Sequence, residues 1–183
     1  MPSSPRALFV LIPAYCFASL RGFIENTILL NIVEGIIRLS IFLAFLLTTL
    51  LMKDMRRVFM YHGAEHKTVF AWEHGQELTV ENIKQFSTRH PRCGTSFILV
   101  VFVISILIFS LLGRPDFLMR VVYKLSLFPL IAGISYEIIR FSGKHKEKGW
   151  VNAISWPGLM LQKITTREPT DDQIEVAVAA MKK

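Results

Sequence analysis

"IVEGIIRLSIFLAFLLTTLLM", residues 32–52, is an apolar run of 21 residues. At about 1.5 Å per helical residue it reaches across the roughly 30 Å apolar core of a bilayer. Glu34 and Arg38 interrupt it near its start, spaced i, i+4, where they can pair on one helix face. The run has no polar stripe of helical period, so it does not read as the amphipathic helix of a soluble domain. Residues 97–112, "FILVVFVISILIFSLL", are free of charge, and residues 94–96 extend them to spanning length. Residues 121–139, "VVYKLSLFPLIAGISYEII", form a third span, with Lys124 and Glu137 near its ends and Pro129 inside. Residues 7–20, "ALFVLIPAYCFASL", are shorter and contain Pro13. They suit a re-entrant piece, an interfacial helix or a signal-peptide core, and we favour a retained short membrane helix. A lipoprotein signal is disfavoured because Tyr15, not a small residue, precedes Cys16.

Composition agrees. Hydrophobic residues make up 52% of the 183, and mean hydropathy is +0.43, high for a soluble domain of this length. Cys16 and Cys93 are too few for a disulfide framework, so reduced thiols are expected. There is no internal repeat and no low-complexity tract.

The net charge of +7 has to be segregated from so much apolar sequence. Loop 53–92 and the tail 140–183 together hold 15 of the 21 Lys and Arg. The connection 113–120 holds Arg114 and Arg120 against Asp116. With three alternating spans, the positive-inside rule puts loop 53–92 and the C-terminus in the cytoplasm, in a multi-pass protein of the cytoplasmic (inner) membrane. The basic face then suits anionic membrane lipids. It could also receive a protein or ribosomal partner, but no specific nucleic-acid motif accompanies it.

The chemistry concentrates in that loop. "YHGAEHK", residues 61–67, sets His62, Glu65 and His66 at i, i+3 and i+4, one face of a helix. The stretch 53–75 reads as a helix continuing out of the membrane and stopped by Gly75. "LTVENIKQFS" reads as a short helix with Thr79 as N-cap. "RHPRCGTSF" is a turn leading into the next apolar run, and it carries His90 and Cys93. The whole pattern is His-x3-His, 23 residues, then His-x2-Cys, which suits Zn²⁺ or another divalent transition metal. Four closed ligands would make a structural site; three ligands with an open position would make a catalytic one. The plainer reading of the histidine pair is a solvated polar face, and that is our reading of His74. "HGAEH" is also formally the His-x-x-Glu-His order of inverted zinc peptidases, in which the glutamate is the general base.

The stretch "YHGAEHKTVFAWEHGQELTVENIKQFSTRHPRCGTSF" resembles the YqhQ-like family (domain of unknown function 1385) of bacterial membrane proteins. So do "GISYEIIRFSG" and "PGLMLQKITTREPTDDQIEVAVAAM". The resemblance covers roughly residues 20–183. It implies a membrane protein with a metal site, in a family described as predicted metal-dependent enzymes, but no reaction. Members usually begin with a further segment bearing a Gly-Gly-Gln-type motif; none is found here, so the chain reads as a shortened member. By motif match the implied site residues are His62, Glu65, His66, His90 and Cys93.

Glu137 sits near the cytoplasmic end of the third apolar run. Its plain partner is Arg140; its functional reading is a further ligand or an acceptor behind a histidine. In the tail, Thr170 and Gln173 fit a capping box, and Ile174, Val178 and Met181 form an apolar face. Trp150 and Trp156 suit a headgroup interface.

The expected architecture is all-α, a helical integral membrane protein with about three spanning helices. Residues 1–52 hold the N-terminal hydrophobic segment and first span, and 53–96 the cytoplasmic His/Cys loop. Residues 97–140 hold two further spans, and 141–183 a cytoplasmic amphipathic tail. The expected function is a metal-dependent hydrolase of unknown substrate. His62, His66 and one of His90 or Cys93 would hold the metal, with Glu65 as catalytic base. The alternative is a non-catalytic membrane protein whose metal site staples the loop and whose basic face binds a translocation or ribosome-associated partner. Single cysteines at residues 77 and 183 should resist an impermeant thiol reagent applied from outside intact cells. Outside labelling of both would reverse the orientation.

Overall fold

The computed structural model describes residues 15, 19–20, 22–113, 116–145 and 148–182. The membrane segment expected at 7–20 lies almost wholly outside them. Among the described residues the fold is helical, without strands. Its elements are α1 (Thr27–Thr49), α2 (Lys53–Glu73), α3 (Val80–Lys84), α4 (Gly94–Ser110), α5 (Phe117–Lys144), α6 (Gly149–Thr165) and α7 (Asp171–Met181). Two of them, α1 and α5 from Leu118, are long and apolar enough to cross a membrane; α4 is apolar but has 17 residues.

The chain divides into two compact units. The first comprises Met1–Phe45 and Ile98–Ile138, and so most of α1, α4 and α5. Within it, α1 and α4 approach closely because Gly35 has no side chain: a Cβ there would overlap Ile106. Phe42 and Phe102 meet with ring centroids 5.0 Å apart. Asn31 Nδ2 donates to the carbonyls of Phe109 (3.2 Å) and Gly113 (3.1 Å), which ties the end of α4 to α1. Pro129 lies inside α5, which continues through it.

The second unit comprises Leu46–Phe97 and Ile139–Lys183. The sequence predicts one helix running from the apolar run into the histidine stretch; the structure breaks it. α1 ends at Thr49, and Met52 is extended (φ −85°, ψ 125°) before α2 starts. Thr48 and Thr49 are β-branched and weak helix formers, and the Thr49 hydroxyl donates to the Leu46 carbonyl at 2.6 Å. Downstream the local signals hold. Gly75 takes φ +65° and closes α2, with Gln76 N–H bonded to the Ala71 carbonyl. The Thr79 hydroxyl accepts from Asn82 N–H at the start of α3. Gln173 Oε1 accepts from Thr170 N–H in the capping box of α7.

The core of this unit is small. Ala64 and Ala71 of α2, Ile83 of α3 and Ile174 of α7 are fully buried, flanked by Leu78, Val80, Phe86, Ala177 and Val178. Met181 is exposed, so only part of the expected apolar face of α7 is used. Polar clamps do the rest. Lys67, 3% exposed, reaches the Lys84 carbonyl (3.0 Å) and the Glu168 carboxylate. Lys84 pairs with Asp171 at 2.6 Å. Residues 165–170 therefore form a strap across α2, and Arg167 N–H bonds the Phe59 carbonyl at 2.9 Å. Gly63 permits that approach, since a Cβ would overlap the Arg167 carbonyl oxygen. Gly63→Ala should lower stability by about 1–3 kcal/mol, the usual range for overpacking. A chemical-denaturation curve of the purified protein checks it, with exposed Gly75 excluded as a control because of its positive φ.

Candidate metal centre

Helical spacing puts His62 and His66 one turn apart on α2, their rings edge to face with centroids 4.4 Å apart. Cys93 immediately precedes α4, where its carbonyl accepts from Phe97 N–H and its sulfur lies at the positive end of the helix. The Cys93 Sγ is 3.3 Å from His62 Nε2 and 3.1 Å from Thr95 Oγ1. One donor atom from each of His62, His66 and Cys93 lies within 4.8 Å of the others. Donors placed tetrahedrally at 2.0–2.3 Å from a zinc ion would stand roughly 3.3–3.8 Å apart, so the group fits a metal with little adjustment.

The backbone fixes which nitrogens face the group. His62 Nδ1 lies 2.8 Å from the Thr165 carbonyl, and His66 Nδ1 lies 2.6 Å from the Thr88 carbonyl. A carbonyl can only accept, so both Nδ1 atoms carry the proton. Nε2 is then the nitrogen of each ring that faces the group, able to offer a lone pair to a metal or, on a protonated ring, an N–H to the Cys93 sulfur. Such an outer acceptor is the usual companion of a metal-binding histidine. The third donor is prepared as well. Burial pushes the Cys93 thiol up, but hydrogen bonds from His62, His66 and Thr95 and the His66 charge outweigh it and hold the thiol at about 5. The hydrogen bond to Cys93 raises His62; burial opposes it and the Thr165 carbonyl assists.

His90 lies beside this group but faces elsewhere. Its ring centroid is 5.9 Å from that of His66 and 4.5 Å from that of Phe70. Its Nδ1 accepts from Arg92 N–H at 3.2 Å, and its Nε2 is 3.3 Å from Glu73 Oε1, which also pairs with Arg92. Its Nδ1 is thus engaged by the main chain, and its Nε2 faces the Glu73 carboxylate. Glu65 is exposed on α2, and its charge acts on His62. Glu137 is exposed on the part of α5 that belongs to the first unit, and the metal-competent group does not include it. His74 is exposed and bonds the Phe70 carbonyl of its own helix.

Several positioning groups escaped the sequence reading. Gln162 is fully buried. Its Oε1 accepts from His90 N–H and its Nε2 donates to the His90 carbonyl, both at 2.7 Å, and to Ser96 Oγ at 2.8 Å. It thereby pins the turn that carries Cys93. The carbonyls of Thr88 and Thr165 act through the main chain, so no residue type announces them. The one available signal was Gln162 itself, a polar side chain on the apolar side of "GLMLQKIT".

Comparison with known proteins matches residues 5–183 to the family described as "Protein of unknown function (DUF1385)". The chain is 32% identical over 171 residues to "Uncharacterized protein YqhQ" of Bacillus subtilis (strain 168), which covers 93% of this chain and 54% of that protein. The chain therefore spans about half the length of the curated relative it matches. No solved structure matches.

In metal-free protein, the ultraviolet absorbance of the thiolate should persist at neutral pH and disappear as the pH falls through about 5, because the folded value of Cys93 is depressed. His62→Ala removes a hydrogen bond that favours the thiolate. It should move that midpoint upward, towards the ordinary thiol range of roughly 8–9. An unmoved midpoint would show that His62 does not support the thiolate.

Proposed function

The chain belongs to the DUF1385 family, and we propose that it is a multi-pass membrane protein with a Zn²⁺ centre on its cytoplasmic side that serves a metal-dependent hydrolase. The observation that carries this reading is the donor count. His62, His66 and Cys93 converge, while His90 is turned to Glu73 and Arg92. Three protein ligands with a fourth position left over is the arrangement of catalytic zinc, whereas four closed ligands mark a structural site.

In this reading α1, α4 and α5 cross the membrane, and residues 53–92 and 141–183 lie in the cytoplasm. Apolar side chains of the first unit support it: Ile36, Leu125, Phe128 and Leu130 all face outward, as lipid contact requires. The basic content of the two cytoplasmic segments sets the direction.

A bound Zn²⁺ supplies Lewis acidity, enough to make water ionise near neutral pH. The protein's own groups do the remaining work. The Thr165 and Thr88 carbonyls hold the two imidazoles in the ligating tautomer. The Cys93 thiolate offers its charge without first losing a proton at neutral pH. Glu65, one turn from His62 and next to His66, is the general base, and its exposure lets it exchange the proton with solvent.

The purified chain should carry about one zinc, and His66→Ala should release it. Glu65→Gln should keep the zinc, because amide and carboxylate share a shape, yet lower activity in a complementation assay by about 10²–10⁴, the usual share of acid–base catalysis. Full complementation by Glu65→Gln at normal zinc content would end the hydrolase reading. The site would then stand as a staple, with His62→Ala unfolding the loop.

A further inference from the structure

In the second unit, α6 carries apolar side chains on the side it buries and on a side it exposes. Val151, Gly158, Leu161 and Thr165 are buried. Gly158 brings the helix so close to Ser96 that a Cβ would overlap that side chain, and Gln162 bonds Ser96 and the His90 carbonyl. Trp150, Ala153, Ile154 and Pro157, at i, i+3, i+4 and i+7, form an exposed stripe. Trp156 stands beside it. Trp150, Ile154 and Trp156 are 55%, 51% and 60% exposed.

Residue type, charge and depth together say what covers this stripe. An indole has an apolar body and a polar N–H, which suits the layer between hydrocarbon and water. Exposed lysines flank the stripe: Lys148 directly before α6 and Lys163 in its last turn. A lysine stem lies along apolar surface while its ammonium reaches phosphate. The span within α5, Leu118–Lys144, has 27 residues, or about 40 Å of helix, which matches a bilayer with its headgroups rather than the apolar core alone. Its last turn then stands at headgroup depth. Phe141, in that turn and itself exposed, meets Trp150 with ring centroids 5.7 Å apart. The stripe therefore begins where the span leaves the hydrocarbon.

We propose that α6 is an in-plane interfacial helix, seated in the headgroup layer of a phospholipid bilayer through Trp150, Ile154 and Trp156, with Lys148 and Lys163 at the lipid phosphates. The proposal rests on the membrane part of the reading above and not on its metal centre. Because α6 also supplies Gln162 and the Thr165 carbonyl, its seat holds the group of His62, His66 and Cys93 beside the lipid surface.

The test is tryptophan fluorescence of the full chain in phospholipid nanodiscs, with melting curves as controls of folding. Trp72→Phe with Trp156→Phe leaves Trp150 alone; Trp72→Phe with Trp150→Phe leaves Trp156 alone. Each emission should be blue-shifted and should resist aqueous iodide. Each should lose intensity with phosphatidylcholine brominated high on the acyl chain, and lose less with bromine at the chain ends. Ile154→Asp sets a charge in the seated stripe and should weaken the lipid quenching. Iodide quenching of either tryptophan in disc-embedded protein would overturn the seat and leave the spans standing. So would stronger quenching from the chain ends, or a folded Ile154→Asp with unaltered quenching. Iodide protection without lipid quenching would assign the stripe to a second copy or another protein and overturn the lipid. A chain that stays monodisperse in buffer and does not enter discs would sink the spanning reading, and the seat with it.

Discussion

The hydrogen bond from His62 Nδ1 to the Thr165 carbonyl joins residues 103 positions apart and does two things at once. It fastens the strap between α6 and α7 to α2, and it decides which nitrogen of His62 carries a proton. Every other property of the centre follows from that choice. With Nδ1 bonded to the carbonyl, Nε2 is the nitrogen that faces Cys93, and a proton taken up there is donated to the sulfur and favours the thiolate. Without it the ring could rotate or exchange tautomers, and the three donors would no longer converge. The bond between His66 and the Thr88 carbonyl repeats the device one turn along the helix.

The strap can sit there because the polar groups around it are answered. Lys67 is buried, and a buried ammonium without partners would be strongly unfavourable. It is met by the Lys84 carbonyl and Glu168, so α3, α2 and the strap are held by one side chain. Gln162 plays the matching part beneath the Cys93 turn. Its amide satisfies both main-chain groups of His90, a donor and an acceptor that a buried turn could not leave open. The second unit thus has few large apolar side chains in its core and relies on buried hydrogen bonds to define one arrangement.

Local signals were the legible ones. The i, i+4 histidines, the stop at Gly75, the Thr79 cap and the Thr170–Gln173 box each depend on residues within one turn of each other, and all four are found where the sequence puts them. The apolar runs are helical over residues 32–49, 97–110 and 121–139 for the same reason. The break at residues 50–52 was hidden because hydropathy does not register the Thr49 hydroxyl's competition for a backbone carbonyl. Between His90 and Cys93 the spacing was neutral. What separates them is Glu73, twenty residues away in sequence for Cys93 and invisible to any spacing rule, which draws the His90 ring aside. Main-chain acceptors such as Thr88 and Thr165 are beyond reach of sequence reading, since every residue type offers the same carbonyl.

The strap also fixes an order of events. A chain emerges from the ribosome in sequence, so α2 with its histidines, the Cys93 turn and all three apolar helices are made before residues 165–171. Until that strap arrives, His62 has no Thr165 carbonyl to hold its proton, and Lys67 lacks its Glu168. The histidine pair is therefore unfinished while the three apolar helices are being made. His62 is fixed toward Cys93 only once translation has passed the strap.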